Sequence, residues 1–452
     1  MPKPIDISAV IDRSPVSSLQ KRAIGLCFVL AVLDGFDAMM LGYAVPSIAK
    51  DWGADPAAFG VVLSVSAASM VVGSILFGSL SDTFGRRRVV LIGTLLFSVF
   101  TLLTAVASSM GVLIVLRIFT GLALGGVTPN LIAMASEFTP KRIRGTVVTI
   151  LISSMSMGSF VGGLIAAALI PAYGWKALFL VGGALPLATT LIAARWLPES
   201  IAFAAARGDR TPCAAFVASL DPQLPVTPEH DFVYQAGETP EKASVTRLFA
   251  TGRRLSTIAI WAVFFINYLV LYLLMGWMPT LFEESGMSPA TASTAAALFA
   301  LGGVVGGILF GRVADRIGNP ARVAMGSYVL AAVFIVATSA AMGVSQPLTL
   351  VAVFIAGFGV LGAMSISSVI AAALYPTAIR GAGIGWALGV GRLGSITGPA
   401  VGAAALMAGL GASSIFSSTA VPALVAVFLL MLIAGRQSST EPRPLEDETS
   451  KR

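Results

Sequence analysis

The sequence predicts an all-α membrane protein of twelve transmembrane helices in two repeated six-helix halves. Three observations carry this expectation. The chain of 452 residues is 56% hydrophobic and only 11% charged, with mean hydropathy +0.88; a typical soluble domain is about 25% charged. Apolar runs long enough to cross about 30 Å of hydrocarbon succeed one another along the chain. Motifs of the first half recur in the second at a nearly constant offset. In water such a chain leaves too much apolar surface uncovered. Its 47 Gly and 24 Pro do not indicate disorder, since membrane helices tolerate both.

At about 20 residues per crossing, the first six spans fall at 23–47, 57–80, 88–108, 112–134, 145–170 and 175–196. The second six fall at 255–279, 291–312, 321–341, 346–371, 381–405 and 412–435. Residues 1–22 read as an N-terminal tail, 23–196 as one half, 197–254 as a polar central loop, 255–435 as the other half and 436–452 as a C-terminal tail. The N-terminal tail is polar and lacks the apolar core of a cleavable signal, so the first span is expected to direct insertion. Of the 29 Lys and Arg, only Lys50 and Lys176 fall on the outer side, and only Arg117 and Arg392 fall within spans. All the others lie on the inner side when both termini are cytoplasmic, as the positive-inside rule requires. That distribution explains the net charge of +7 through membrane topology and anionic lipid, and leaves no case for nucleic acid. Cys27 and Cys213, one on a span and one in the loop, make no disulfide framework. The single His230 lies in a loop, so neither a metal site nor a cofactor is expected.

The repeat is specific. Gly78, Asp82 and Gly85 recur, all at one offset, as Gly311, Asp315 and Gly318. Gly121, Gly126, Pro140, Arg144 and Gly145 recur, at an offset slightly longer and again shared, as Gly357, Gly362, Pro376, Arg380 and Gly381. Two repeated halves are what a carrier needs to rock around a central substrate; a channel or receptor has no need of them.

Gly78-Ser-Leu-Ser-Asp82-Thr-Phe-Gly85-Arg86-Arg87-Arg88 resembles the loop between spans 2 and 3 of the major facilitator superfamily, with Gly311 to Gly318 as its echo. With twelve spans and a central loop, the resemblance covers nearly the whole chain. Thr83 stands where that family usually has Arg, and Asn319-Pro320 replaces the second basic pair, which implies a weaker inner gate lock. Asp34-Gly35-Phe36-Asp37 in span 1, Arg117 to Gly126 in span 4 and Gly391 to Pro399 in span 11 look like the aromatic acid:proton symporter branch. The branch implies uptake of benzoate-like acids, among them hydroxybenzoates, together with protons, into a bacterial cytoplasm that degrades them.

A charge at the bilayer centre costs about 2.5–3.5 kcal/mol on insertion scales, so Asp34, Asp37, Arg117 and Arg392 mark a polar path. Asp34 and Asp37, three apart, share one helix face, and two close carboxylates resist double ionisation. They are the expected proton sites, with a structural alternative in which one merely pairs with a buried arginine. In the resembled fold, helices 1 and 4 point inward, which makes either aspartate the expected partner of Arg117. Arg392 sits mid-span in a half that has no acidic residue within a span, and Ser156 holds the matching place in the first half. Its expected partner is the substrate carboxylate, bound as a bidentate fork. Phe264, Tyr268 and Tyr272 recur every four residues in span 7 and make a candidate aromatic wall. Asn267, Trp386 and Ser365 are further candidates for the substrate site, against the plainer reading of packing or a lipid-facing belt. Asp82, Arg86, Glu137 and Arg144, with Asp315, Arg316 and Arg380, are expected at the inner gate.

The expected function is therefore proton-coupled uptake of an aromatic carboxylate, with no obligate protein partner. The alternatives are a carrier of another organic anion or aliphatic acid, and an efflux antiporter. A sugar carrier or a cationic drug pump has little use for two buried arginines. A sensor would need an output domain larger than the central loop. An enzyme would need a catalytic constellation, and no Ser/His/Asp set, metal cluster or nucleotide loop is legible.

Overall fold

The computed structural model describes residues 4–438 except 222, 225, 228, 235–244 and 251–252. Lys3, Lys242, Arg443, Lys451 and Arg452, and most of the C-terminal tail, lie outside the described residues. The chain opens with strand β1 (Ile5–Asp6) and helix α1 (Ile7–Arg13). The first half follows as α2 (Ser18–Trp52), α3 (Phe59–Phe84), α4 (Arg86–Thr104), α5 (Met110–Glu137), α6 (Lys141–Tyr173) and α7 (Trp175–Trp196). The connecting segment carries α8 (Ile201–Arg207), α9 (Arg210–Leu220) and β2 (Phe232–Val233). The second half comprises α10 (Arg254–Glu284), α11 (Pro289–Ile317), α12 (Pro320–Ala341), α13 (Gln346–Leu374), α14 (Thr377–Met407), α15 (Ala412–Ser418) and α16 (Ala420–Ser438).

Among the described residues, eleven segments are helices long and apolar enough to cross a membrane. The eleventh span of the sequence reading is the 31-residue α14. The helices overrun the predicted spans because their caps lie beyond the apolar run. Ser17 and Gln20 form a capping box that starts α2, and Gly53, at φ 60°, stops it; only a residue without Cβ takes that conformation freely. The twelfth span is α15 and α16 in succession, meeting at Thr419.

The two halves repeat in their packing. In the first half α3 packs on α5, α2 on α6, and α4 on both α5 and α7. In the second, α11 packs on α13, α10 on α14, and α12 on both α13 and α16. The halves meet through α2 with α10, α3 with α14, and α6 with α11.

The connecting segment and the N-terminal tail hold more structure than their polarity suggests. β1 pairs in parallel with β2. Ile7, Val10 and Ile11 of α1 join Cys213, Phe216, Val217 and Leu220 of α9 and Phe138 at the end of α5 in one buried cluster. The residues of α9 follow i, i+3, i+4, i+7 spacing, the mark of an amphipathic helix. This cap sits on the first half, on what is termed here the terminal side; the opposite side is the far side. Asp12 fastens it, accepting from the Lys141 backbone N–H at 2.7 Å while the Lys141 ammonium stands 3.3 Å from the same carboxylate.

The halves touch on the far side. A Cβ on Gly42 would lie 2.9 Å from the Met275 carbonyl oxygen, and Gly60 abuts Ala403 and Trp277. A Cβ on Gly163 would lie 3.0 Å or less from Ala297 and Ser293. Toward the terminal side, Gly78, Gly311, Gly381, Gly385 and Gly389 meet nothing within 4 Å. The halves thus meet at the far end, while these terminal-side glycines face open space.

Within each half, helices approach backbone to backbone at glycines. A Cβ at Gly158 of α6 would fall on the Val32 carbonyl and 2.8 Å from the Phe36 nitrogen of α2. Gly158→Val is expected to cost about 1–3 kcal/mol or more, since the backbone it meets cannot rotate away. Gly145→Val, with nothing within 4 Å, should be tolerated. Thermal unfolding of the two purified variants in detergent checks the contrast, and equal midpoints would refute it.

Candidate functional site

α2 carries Asp34 and Asp37 into the centre of the first half, where both are buried. Their side chains are satisfied separately. Asp34 accepts from the Thr128 hydroxyl of α5, and its second oxygen has no hydrogen-bond partner. Asp37 accepts from the Thr101 hydroxyl of α4 at 2.6 Å, and its other oxygen lies 3.7 Å from Arg117 Nη1. Arg117, itself buried, donates through Nη2 to Thr104 at 2.8 Å, and its guanidinium carbon lies 5.4 Å from the centre of the Phe179 ring. One aspartate therefore has a cation beside it and the other has only a hydroxyl.

This pair borders a cleft between the two halves. Asp37, Arg117, Ser66 and Thr120 line it from the first half, and Tyr272 and Pro399 from the second. Tyr272 stacks on Tyr268 with centroids 6.2 Å apart and planes at 14°. Arg392 of α14 follows Gly391, which adjoins the Tyr268 ring. Its Nη1 donates to the Ser74 hydroxyl of α3 at 2.7 Å. The two intramembrane arginines thus differ: Arg117 has a carboxylate neighbour, whereas the described partner of Arg392 is a neutral hydroxyl.

The other candidates fall elsewhere. Phe264 is 1% exposed and packs near Gly391 of α14. Asn267 donates its amide to the Tyr328 hydroxyl at 2.9 Å and the Val360 carbonyl at 3.1 Å, tying α10 to α12 and α13. Trp386 is 46% exposed and stacks on Trp261 at 5.7 Å. Ser365 is exposed and donates back to Leu361.

At the terminal side, Glu137 is buried and pairs with Arg86. It also accepts from the Ser200 hydroxyl at 2.5 Å, and the Tyr234 hydroxyl donates to its backbone carbonyl at 3.3 Å. Burial pushes the Tyr234 phenol up, with Arg144 and Arg86 pulling the other way, so Tyr234 stays a donor. Glu199 accepts from the Arg87 backbone N–H at 2.9 Å. Arg144 donates to the Thr139 carbonyl at 3.1 Å. Asp82, Asp315, Arg316 and Arg380 are exposed. The second half has Ala373 where the repeat places the counterpart of Glu137.

The sequence reading passed over Thr101, Thr104, Thr128, Ser74, Glu199 and Ser200. Thr101, Thr104, Thr128 and Ser74 are hydroxyls in apolar helices, where most bond their own backbone, and only the facing helix gives them a charged partner. Glu199 and Ser200 lie past the end of α7, where only the fold brings Arg87 and Glu137 to them.

A family model described as Major Facilitator Superfamily matches residues 27–257 and 260–452. A gallate transporter of Pseudomonas putida is 38% identical over 429 residues, covering 95% of this chain and 95% of the relative. The 4-hydroxybenzoate transporter PcaK of Pseudomonas putida is 37% identical over 432 residues, 94% of each chain. The benzoate transport protein of Acinetobacter baylyi is 29% identical over 451 residues, 98% of this chain and 96% of the relative. A bacterial homologue of the human lysosomal transporter Spinster, solved inward-facing and unoccupied, superposes with a TM-score of 0.68 at 16% identity. That match covers 94% of this chain and 99% of the other, and the likeness is one of fold.

Removing one partner of a buried ion pair costs about 3–5 kcal/mol, because the remaining charge is stranded. Asp37→Asn is therefore expected to lower thermal stability markedly, and Arg117→Gln placed on it should restore part of the loss. Asp34→Asn strands no cation and should leave stability nearly unchanged. Unfolding midpoints of the parent and these variants decide this, and equal losses from the two aspartate variants would contradict the assignment.

Proposed function

The chain belongs to the major facilitator superfamily, and on that premise we propose that it takes up an aromatic carboxylate together with protons by alternating access. The membrane is the bacterial inner membrane, with the terminal side facing the cytoplasm. Relatives that transport gallate, 4-hydroxybenzoate and benzoate support the substrate class. One observation carries the reading. Arg392 reaches the middle of the bundle beside two stacked tyrosines with a hydroxyl, not a carboxylate, as its described partner.

A guanidinium keeps its charge in any protein environment. Away from bulk water, an unanswered positive charge favours an anionic ligand, and a planar fork matches a carboxylate. The rings of Tyr268 and Tyr272 offer faces and edges to an arene, and their hydroxyls suit ring hydroxyl groups. Arg117 is less available, because Asp37 already answers it. Asp34 is the preferred proton carrier in this scheme: a buried carboxylate without a cation costs several kcal/mol, and taking up a proton removes the charge. Asp37 and Arg117 hold α2, α4 and α5 in register around it. At the cytoplasmic end, Glu137, Arg86 and Ser200 bind the cap and the loops of the first half into one unit that moves with it. The nearest alternative is a carrier of a different organic anion, since Arg392 recognises the carboxylate and not the ring.

In proteoliposomes, accumulation of 4-hydroxybenzoate is expected to follow an inward proton gradient and to collapse with a protonophore. Uptake that tracks only a sodium gradient would defeat the proposal. Asp34→Asn is expected to lose accumulation and keep substrate exchange. Arg392→Lys retains the charge but not the fork, and should weaken binding of 4-hydroxybenzoate by roughly tenfold to a hundredfold, read by calorimetry. A panel of benzoates and aliphatic acids in the same assay separates the aromatic reading from the alternative.

A further inference from the structure

Ser74 and Arg392 belong to opposite halves and are joined by the 2.7 Å hydrogen bond from Nη1 to the serine hydroxyl. The bond ties the six-helix halves side chain to side chain. Its position along α3 and α14 is distinctive. Farther toward the far side these helices touch, at Gly60 against Ala403. Farther toward the terminal side, Gly78 on α3, and Gly389, Gly385 and Gly381 on α14, face open space. The Ser74–Arg392 bond lies where contact gives way to opening.

Both ends of the bond are held by backbone packing within their own half. Gly73, next to Ser74, lies against the backbone of Leu122 in α5, the helix that carries Arg117. A Cβ on Gly391, next to Arg392, would lie 2.9 Å from the Tyr268 ring, and Gly394 packs on the backbone of Phe265 and Leu269. Neither anchor can slide without moving its half. The serine hydroxyl also donates to the Val71 carbonyl at 2.8 Å, which fixes its lone pairs toward the guanidinium.

We propose that Ser74 is a positioning residue for the substrate site: it holds Arg392 across the interface, directs the remaining guanidinium N–H groups toward an incoming carboxylate, and makes carboxylate binding sensitive to the relative position of the two halves. The inference rests on the reading of Arg392 as the carboxylate site and deepens it. A guanidinium has five N–H donors. A single hydroxyl at Nη1 leaves enough of them for a two-point carboxylate contact while removing the freedom of a long side chain to turn away. When the halves rock, α3 and α14 move relative to each other here, so the orientation of Arg392 changes with the state of the carrier.

Two measurements test this. By calorimetry with 4-hydroxybenzoate on the purified full chain, Ser74→Ala is expected to bind about three- to tenfold more weakly, the size of one typical hydrogen bond lost in a site that keeps its ligand contacts. Ser74→Thr, which keeps the hydroxyl, should recover affinity. On an Arg392→Lys background, Ser74→Ala should add no further loss, because its effect passes through the guanidinium. An unchanged affinity in Ser74→Ala, or the same loss on both backgrounds, overturns the proposal. The second measurement needs no substrate. Spin labels at positions 79 and 385, on a background with Cys27 and Cys213 replaced, report the separation of α3 and α14. Ser74→Ala should broaden that distance distribution and Ser74→Thr should restore it; an unaltered distribution counts against the tie. Arg392→Lys that binds 4-hydroxybenzoate as well as the parent refutes the carboxylate reading itself, while the spin-label result still decides whether Ser74 joins the halves.

Discussion

Lipid tails are as apolar as leucine, so two apolar helix faces gain little by leaving lipid for each other, and this bundle is held where backbones can meet. Gly35 and Gly158 bring α2 against α6, Gly73, Gly121 and Gly125 bring α3 against α5, and Gly302, Gly306 and Gly357 bring α11 against α13. Gly73 and Gly121 correspond to Gly306 and Gly357 in the repeat, which is thereby expressed as packing. Each half is rigid for this reason, and rigidity is what allows a few polar bonds inside it to be placed within hydrogen-bond distance.

The polar groups break the symmetry that the packing keeps. Asn267 follows Asp34 at the same offset that separates Asp315 from Asp82 in the loop motif. It too ties the first helix of its half to the fourth, through the Val360 carbonyl. One half thus has a titratable group at this joint and the other an amide that keeps a single charge state. Arg392 inverts the pattern, with Ser156 at the matching place. On our reading, proton chemistry sits in the first half and carboxylate recognition in the second. Substrate and proton are then coupled only through the motion of one half against the other.

The two ends of the molecule differ as well. The far end is closed by apolar and backbone contacts, which form and break without stranding a charge. The terminal end of the first half is a connected polar unit of Arg86, Glu137, Ser200 and the cap, and its counterpart in the second half lacks the glutamate. The cap packs on α5 through Phe138 and on the α5–α6 junction through Asp12, so it is fastened to the first half.

The run lengths, the Lys and Arg distribution and the repeat determined the number of helices, their division into halves and the family, because each is a property of composition along the chain. Asp34, Asp37, Arg117 and Arg392 were legible for the same reason: a charge inside an apolar run is conspicuous wherever it points. The helix ends were not, since Ser17, Gln20 and Gly53 act through local hydrogen bonds and backbone angles outside the run. The cap was obscured by its polar neighbours, although Cys213, Phe216, Val217 and Leu220 keep helical spacing. Which aspartate meets Arg117, which threonine meets each aspartate, and that Ser74 meets Arg392 from the other half of the chain were decided only by tertiary structure. A hydroxyl in a membrane helix carries no sign of its partner in its own sequence, and the rotation of its helix against a neighbour, set by glycine contacts, selects the side chain it meets.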